Sequence, residues 1–168
     1  MRNLINILTV FALCFAFKAQ GQNYEIVFVK DKLQKLKVAE KEELEHLIFG
    51  TPALLILDDE PTYAWNKEKD VEIVDVIAEK ISLLNNNRFA NDFNNATLLI
   101  LRFEEDDKFE LTENHLSNLQ NIKYVLIKYH ISISEKEIMN RITNLKLSNS
   151  LKDLVFLLDP NNGTDEEI

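Results

Sequence analysis

Five short apolar runs, separated by stretches with helical spacing, constrain the fold of this chain more than any other feature. The runs are residues 24–30 (YEIVFVK), 53–58 (ALLILD), 97–103 (TLLILRF), 122–131 (IKYVLIKYHI) and 153–158 (DLVFLL). Runs that are rich in β-branched and aromatic residues, or apolar throughout, are typical of strands buried on both faces. Strands that alternate with helices predict a parallel sheet with right-handed crossovers. The sequence therefore predicts an α/β fold with five parallel strands.

Helical patterns fill the four connections between these strands. The first connection has apolar residues at mostly helical spacing and ends at Gly50 and Pro52. The second begins at Asp70, a helix cap, and carries one apolar face: Val71, Val74, Ile77, Ile81 and Leu84. A short helix is predicted over 113–119, and Ser134 with Glu137 predicts a capping box for the fourth helix. Since no shift in composition divides the chain, residues 22–160 are predicted to form a single domain and residues 161–168 a flexible acidic tail.

The five predicted strands share a local pattern. Two apolar residues are separated by one residue, and a polar residue follows three positions after the second. The pattern reads Ile26-x-Phe28-x-x-Asp31, Leu55-x-Leu57-x-x-Glu60, Leu99-x-Leu101-x-x-Glu104, Val125-x-Ile127-x-x-His130 and Leu154-x-Phe156-x-x-Asp159. The steps between the first residues of these units are 29, 44, 26 and 29. Three of the four steps lie at or near the period of leucine-rich repeats, which is roughly 20–29 residues.

One unit is fuller than the others and resembles the leucine-rich repeat consensus. It reads Leu116-x-x-Leu119-x-x-Ile122-x-x-Val125-x-Ile127-x-x-His130, with His130 where Asn is usual. Leu151-x-x-Leu154-x-Phe156-x-x-Asp159 resembles the core of the next unit. The resemblance covers residues 95–160 and, more loosely, 24–60, and it implies that the strands lie side by side in sequential order. Two architectures stay open: a short leucine-rich-repeat-like array and an open three-layer sheet.

The first 21 residues have the form of a secretory signal peptide. Arg2 is followed by an almost continuously apolar stretch over residues 4–17, and Ala19 and Gly21 place small side chains before a cut at Gln22. The apolar stretch is shorter than the roughly 20 residues that span a bilayer as a helix. A retained membrane anchor and a lipoprotein modified at Cys14 are the alternatives. We expect export to a periplasm or out of the cell, with no stable membrane insertion after cleavage.

Removal of residues 1–21 changes the composition of the working protein. The cut removes Arg2 and Lys18 but no acidic residue, so the net charge of −9 becomes −11. It also removes Cys14, the one cysteine, and with it any thiol nucleophile, disulfide or Cys metal ligand. Gly50 and Gly163 are the glycines that stay, too few for a glycine-rich phosphate loop. The excess of acid argues against nucleic acid as a partner, since phosphate binding needs a basic patch.

The carboxyl ends of the predicted strands carry the candidate binding residues. In a parallel sheet these ends meet at one edge, where open α/β folds bind ligands. The polar candidates at this edge are Asp58, Asp59, Glu60, Glu104 and His130. Clustered carboxylates suit Mg²⁺ or Ca²⁺, although solvated turn residues and helix caps give the same pattern. Tyr63 and Trp65 lie in the polar segment after the second strand, where aromatic residues either mark a binding surface or fold back on the core.

Two common catalytic motifs are absent from the sequence. It has neither the H-E-x-x-H spacing of zinc hydrolases nor the G-x-S-x-G turn of serine hydrolases. We therefore expect an exported, monomeric binding or interaction protein without catalytic machinery, resident metal or cofactor, whose partner is another protein or an envelope component. The alternative is a divalent-metal-dependent enzyme that uses the carboxylates at the strand ends.

Overall fold

The computed structural model of the chain describes residues 24–103, 111–130, 132–143, 145, 147, 151 and 153–161. Its strands are β1 (Glu25–Phe28), β2 (Leu54–Leu57), β3 (Thr62–Ala64), β4 (Ile73–Ile77), β5 (Leu98–Phe103), β6 (Tyr124–His130) and β7 (Val155–Asn161). Its α-helices are α1 (Val29–Lys35), α2 (Val38–Phe49), α3 (Ala90–Asn95), α4 (Glu113–Leu116) and α5 (Glu135–Thr143). Two 3₁₀ segments cover Ala78–Asn85 and Asn87–Phe89. The predicted signal peptide, Glu104 and residues 162–168 of the predicted tail lie outside the described residues, whereas Asn161 belongs to β7.

The seven strands of the described part form one sheet in the order β1-β7-β6-β5-β4-β2-β3. All neighbouring strands are parallel except β2 and β3, which are antiparallel. The predicted α/β class is confirmed, with two strands more than the five predicted. The strands β2, β4, β5, β6 and β7 follow one another in sequential order across the sheet, whereas β1 lies at the far edge, beside β7. Sequential order therefore holds for every predicted strand except the first.

The helix predicted from Asp70 to Leu84 is wrong, because this segment contains β4 and the first 3₁₀ segment. Val74 and Val76 of β4 belong to the core on one face of the sheet, and Ile73 belongs to the core on the other. This alternation has the period of a strand, and pairing with β2 and β5 on either side satisfies the backbone of the segment. Tertiary pairing has overridden an apolar spacing that also suits a helix.

Strand β4 supplies the unit that the long step of 44 residues lacked. Its sequence Val74-x-Val76-x-x-Glu79 follows the shared pattern, and Val74 is the register neighbour of both Leu55 and Leu99. In β7, register pairs Phe156 with Val125, so the apolar pair of that strand is Phe156 and Leu158 rather than Leu154 and Phe156. A continuous ladder results on one face: Ile26, Phe156, Val125, Leu99, Val74 and Leu55.

Helical segments cover both faces of the sheet, which gives the three-layer arrangement. On the first face, the ladder packs against apolar residues of the 3₁₀ segments and of α3, α4 and α5, including Leu84, Phe93, Leu116 and Ile138. On the second face, Val29, Leu44 and Leu47 of α1 and α2 pack on the strands. These two helices carry the chain across the second face, from β1 at one edge towards β2 near the other. Within the described part of the chain, no helix is long and apolar enough to cross a membrane.

Candidate functional site

The three predicted acidic residues after β2 are exposed to solvent, and the side chains of Asp58 and Asp59 have partners within the chain. The side chain of Asp58 accepts the backbone N–H of Asp59 at 2.8 Å, a local turn contact. Asp59 forms an ion pair with Lys80 of the first 3₁₀ segment, and this hydrogen bond raises the pKa of the Lys80 ammonium. Glu60 accepts a hydrogen bond from the Thr62 hydroxyl through its backbone carbonyl. The acids at this strand end thus cap a turn and pair with one lysine.

His130 lies at the same edge of the sheet as these acids but not beside them. It ends β6, which is separated from β2 by β4 and β5, so three strand spacings of roughly 4.8 Å set about 14 Å between β2 and β6. Its Nδ1 lies 2.8 Å from the Ser132 hydroxyl oxygen and 3.3 Å from the Ser132 backbone nitrogen, so the ring caps the turn after the strand. Among the described residues, no group of three or more His, Cys, Asp or Glu side chains could hold a metal ion.

Tyr63 and Trp65 are placed away from the acids by the reversal at β3. The antiparallel strand β3 returns from the carboxyl end of β2 to its amino end, where Ala64 pairs with Leu54. The Tyr63 hydroxyl donates to Asp92 of α3 at 3.0 Å, while burial and this bond raise the pKa of the tyrosine. Trp65 follows at the opposite edge of the sheet from Asp58, and 50% of its surface is exposed. The structure therefore places the predicted site residues at opposite ends of the strands, with the acids at the carboxyl ends and Trp65 at the amino ends.

The second face of the sheet contains a surface that the sequence interpretation missed. On this face α1 and α2 cover the amino halves of the strands: Leu54, Ile73 and Leu98 are buried there. An exposed ion pair of 2.7 Å joins Glu43 of α2 to Lys123, the residue before β6. Towards the carboxyl ends of β2, β4 and β5 the residues of this face are half-buried or exposed. We call this region the open half-face, and its residues are Ile56, Asp75, Ile77, Ile100, Arg102 and Lys128.

The centre of the open half-face is an ion pair between Asp75 and Arg102. The Nε–H of Arg102 donates to Asp75 Oδ1 at 2.9 Å, and the two side chains are 45% and 13% exposed, respectively. Ile56 and Ile100 are the register neighbours of Asp75 on either side, so the carboxylate lies in an apolar row. Burial raises the pKa of the Asp75 carboxyl despite the opposing effects of Arg102 and Lys128. A charge held in a desolvated position, with a perturbed pKa, is a recognised property of functional sites.

Asp75 and Arg102 had a visible signal in the sequence. Each is a single charge inside an otherwise apolar run, IVDVI for Asp75 and LLILRF for Arg102. A lone charge within a strand that is buried on both faces must have a partner or an exit to solvent. What the sequence did not reveal is that β4 is a strand, and without β4 the two residues have no common face.

A histidine also takes part in a helix cap, at the start of α4. The Thr112 backbone N–H donates to His115 Nδ1 at 3.2 Å, and the Thr112 side chain accepts from the backbone of His115 in return. Because His115 Nδ1 is an acceptor here, the cap requires this nitrogen to be unprotonated. Burial lowers the pKa of the half-buried imidazole from its ordinary value of 6.5.

We expect acid to weaken this cap. Since the pKa of His115 is lower in the folded than in the unfolded state, the unfolded state binds more protons just below pH 6.5, and the free energy of unfolding falls as the pH is lowered through that value. The loss is expected to be about 0.5–1 kcal/mol, the low part of the range for helix caps. His115→Gln keeps a capping-box acceptor that does not titrate, so it should remove this loss. Urea unfolding at pH 7.5 and 5.0 measures both proteins, and an equal loss in the variant would contradict the assignment.

Comparison with known proteins identifies no relative: no family model, curated protein or solved structure matches this chain. The functional interpretation therefore depends on the geometry of the chain itself.

Proposed function

We propose that this chain is an exported binding protein without catalytic machinery, and that it binds another protein through the open half-face. The observation that carries the proposal is the Asp75–Arg102 ion pair, which lies in the open half-face among isoleucines that are only half-buried. Desolvated ion pairs contribute little to stability compared with apolar residues of similar size. The position of the pair on this face, where Arg102 is 45% exposed, supports a role in recognition.

The composition of the open half-face favours a protein partner that presents a carboxylate. Three isoleucines, Ile56, Ile77 and Ile100, share this face with the guanidinium group of Arg102, and the cores of protein interfaces are enriched in arginine and apolar contact. Arg102 uses its Nε–H on Asp75, which leaves the Nη groups of a side chain that is 45% exposed to face a partner. The planar guanidinium matches a carboxylate in geometry as well as in charge.

The N-terminus and the charge of the sequence support the same proposal. The signal-like N-terminus and the net charge of −11 after cleavage are consistent with an exported protein that avoids nucleic acid and anionic membrane surfaces. If export occurs as proposed, the mass of the protein recovered from intact cells will correspond to a chain that starts at Gln22.

Site-specific photocrosslinking in producing cells tests the partner. A photoreactive residue at Lys128, on the open half-face, should give a discrete adduct with another protein, and the same residue at Lys41 on α2 should not. The adduct should disappear when Asp75→Asn and Arg102→Met are combined, because the recognition element is then lost while no unpaired buried charge is created. Equal adducts from both positions, or an adduct that persists in the double variant, would contradict binding through this surface.

A further inference from the structure

Two cations lie side by side on the open half-face. Arg102 of β5 is the register neighbour of Lys128 of β6, and Asp159 of β7 follows Lys128 in the same row. Like charges that face each other on neighbouring strands repel, so this pair needs carboxylates beside it. Asp75 accepts the Nε–H of Arg102, and both cations oppose the rise that burial causes in its pKa. The Nη groups of Arg102 and the ammonium group of Lys128 are therefore suited to a further carboxylate.

The residues that follow β7 begin close to this pair of cations. Strand β7 ends at Asn161, which is the register neighbour of His130 on β6. Arg102 is two strands away from Asn161 and, because it pairs with Lys128, two residues further back along the strands. With strands roughly 4.8 Å apart and about 3.3 Å per residue, the two Cα atoms are about 12 Å apart. Asp165, four residues after Asn161, can span about 13 Å and therefore reaches Arg102.

The sequence of residues 162–168, NGTDEEI, complements the open half-face in charge and in apolar character. It begins with Asn-Gly, a dipeptide typical of chain reversals because both residues tolerate the positive φ of tight turns. A reversal there directs the rest of the segment back towards the sheet. Residues 165–167 then supply three consecutive carboxylates, opposite in sign to Arg102 and Lys128, and Ile168 supplies an apolar side chain for a face that contains three isoleucines.

We propose that residues 162–168 bind to the open half-face of their own chain. The carboxylates of residues 165–167 pair with the Nη groups of Arg102 and with the ammonium group of Lys128. A tethered segment acts at an effective concentration of roughly millimolar, so contacts too weak to hold a separate peptide are sufficient here. This inference rests on the proposed function, which takes the half-face as a carboxylate-binding surface, and it adds regulation: a protein partner has to displace the chain's own carboxylates.

Zero-length crosslinking of the purified protein tests this contact directly. A carbodiimide joins an ammonium group to a carboxylate only when the two groups touch. Monomeric protein should therefore form an amide bond between Lys128 and one of the acidic residues 165–167, which tandem mass spectrometry of tryptic peptides locates. The ion pair of 2.7 Å between Lys123 and Glu43 is the internal standard, because it should be linked in every sample.

Two double variants with unchanged net charge make the test specific. Combining Asp75→Asn with Arg102→Met should lower the yield of the Lys128 link about fivefold relative to the standard, because the guanidinium that binds the carboxylates is lost. Combining Lys41→Met with Glu45→Gln, which removes an exposed ion pair of α2, should leave that yield unchanged. Circular dichroism confirms that each variant is folded.

Each other outcome would overturn the proposal. The absence of a link from Lys128 to residues 165–167, beside a normal standard, would show that the segment does not bind there. A link from Lys128 to the acidic residues 104–107 in its place would assign the half-face to another segment, and a link confined to crosslinked dimers would indicate binding between two copies. An equal link from Lys69, which precedes β4, would indicate contact without specificity. These results need no partner, so they are distinct from a failure of the photocrosslinking experiment.

Discussion

Replacing Phe156 by Ala is expected to lower the free energy of unfolding by about 3–5 kcal/mol, the usual cost of truncating a buried phenylalanine. Phe156 is fully buried in β7, where its register neighbours are Val125 of β6 and Ile26 of β1. Its ring packs edge-on against Tyr24, with 5.2 Å between the ring centres. The cavity would open in β7, which lies between β1 and the rest of the sheet. Urea unfolding at pH 7 measures the loss.

Tyr24→Phe is the matched control for this position. The variant keeps the ring that packs on Phe156 and removes the hydroxyl, which donates to the Ile142 carbonyl at 2.7 Å. We expect a loss of about 1 kcal/mol, the net contribution of one hydrogen bond. If Phe156→Ala cost no more than Tyr24→Phe, β7 would not lie at the centre of the core, and the order β1-β7-β6 would be wrong.

The strands that the sequence predicted well are those buried on both faces. Residues 53–58 and 97–103 contain β2 and β5, because a strand with apolar neighbours on both sides leaves a continuous apolar run that a surface helix does not have. The short strand β3 was missed for the opposite reason. It has three residues in a polar segment, and only its pairing with β2 makes it a strand.

The position of β1 could not be predicted from local patterns. Its residues follow the same apolar alternation as the other strands, so the pattern predicts a strand but not its neighbour. The helices α1 and α2 bury Val29, Leu44 and Leu47 against the second face. Together they form a long crossover connection from β1 at one edge of the sheet to β2 near the other. Sheet order thus depends on which face the first two helices cover, a property of the whole core.

The candidate sites show the same limit. Trp65 was predicted as a binding residue, but the prediction grouped it with Asp58, from which the reversal at β3 separates it. Asp75 and Arg102 are 27 residues apart and meet because register pairs Asp75 with Ile100 and Ile77 with Arg102, which makes the two charges diagonal neighbours on one face. Because β4 was not predicted as a strand, the ion pair at the centre of the open half-face could not be predicted either.

Replacing Arg102 by Met is expected to lower the free energy of unfolding at pH 7 by about 2 kcal/mol. The change leaves the Asp75 carboxylate 13% exposed without its hydrogen-bonded cation. Removal of one partner of a buried pair costs roughly 3–5 kcal/mol, and we reduce that figure because Arg102 is half exposed. Combining Arg102→Met with Asp75→Asn should recover most of the lost stability, because the neutral Asn amide can be buried without a cation beside it.

The pH dependence separates this mechanism from simple loss of packing. Burial already raises the pKa of Asp75 above its ordinary value of 3.8, and loss of Arg102 raises it further. The folded variant then binds a proton more readily than the unfolded chain. The deficit in its free energy of unfolding relative to the wild type is therefore complete above the folded-state pKa and shrinks as the pH falls towards 3.8.

Lys41→Met, at a side chain 46% exposed on α2, should show neither the loss nor the recovery. Urea unfolding at pH 7 and 4.5 compares the four proteins. A deficit that is the same at both pH values and in the double variant would mean that lost packing of the Arg102 alkyl stem accounts for it. Asp75 would then not be the destabilised carboxylate on which the proposed recognition depends.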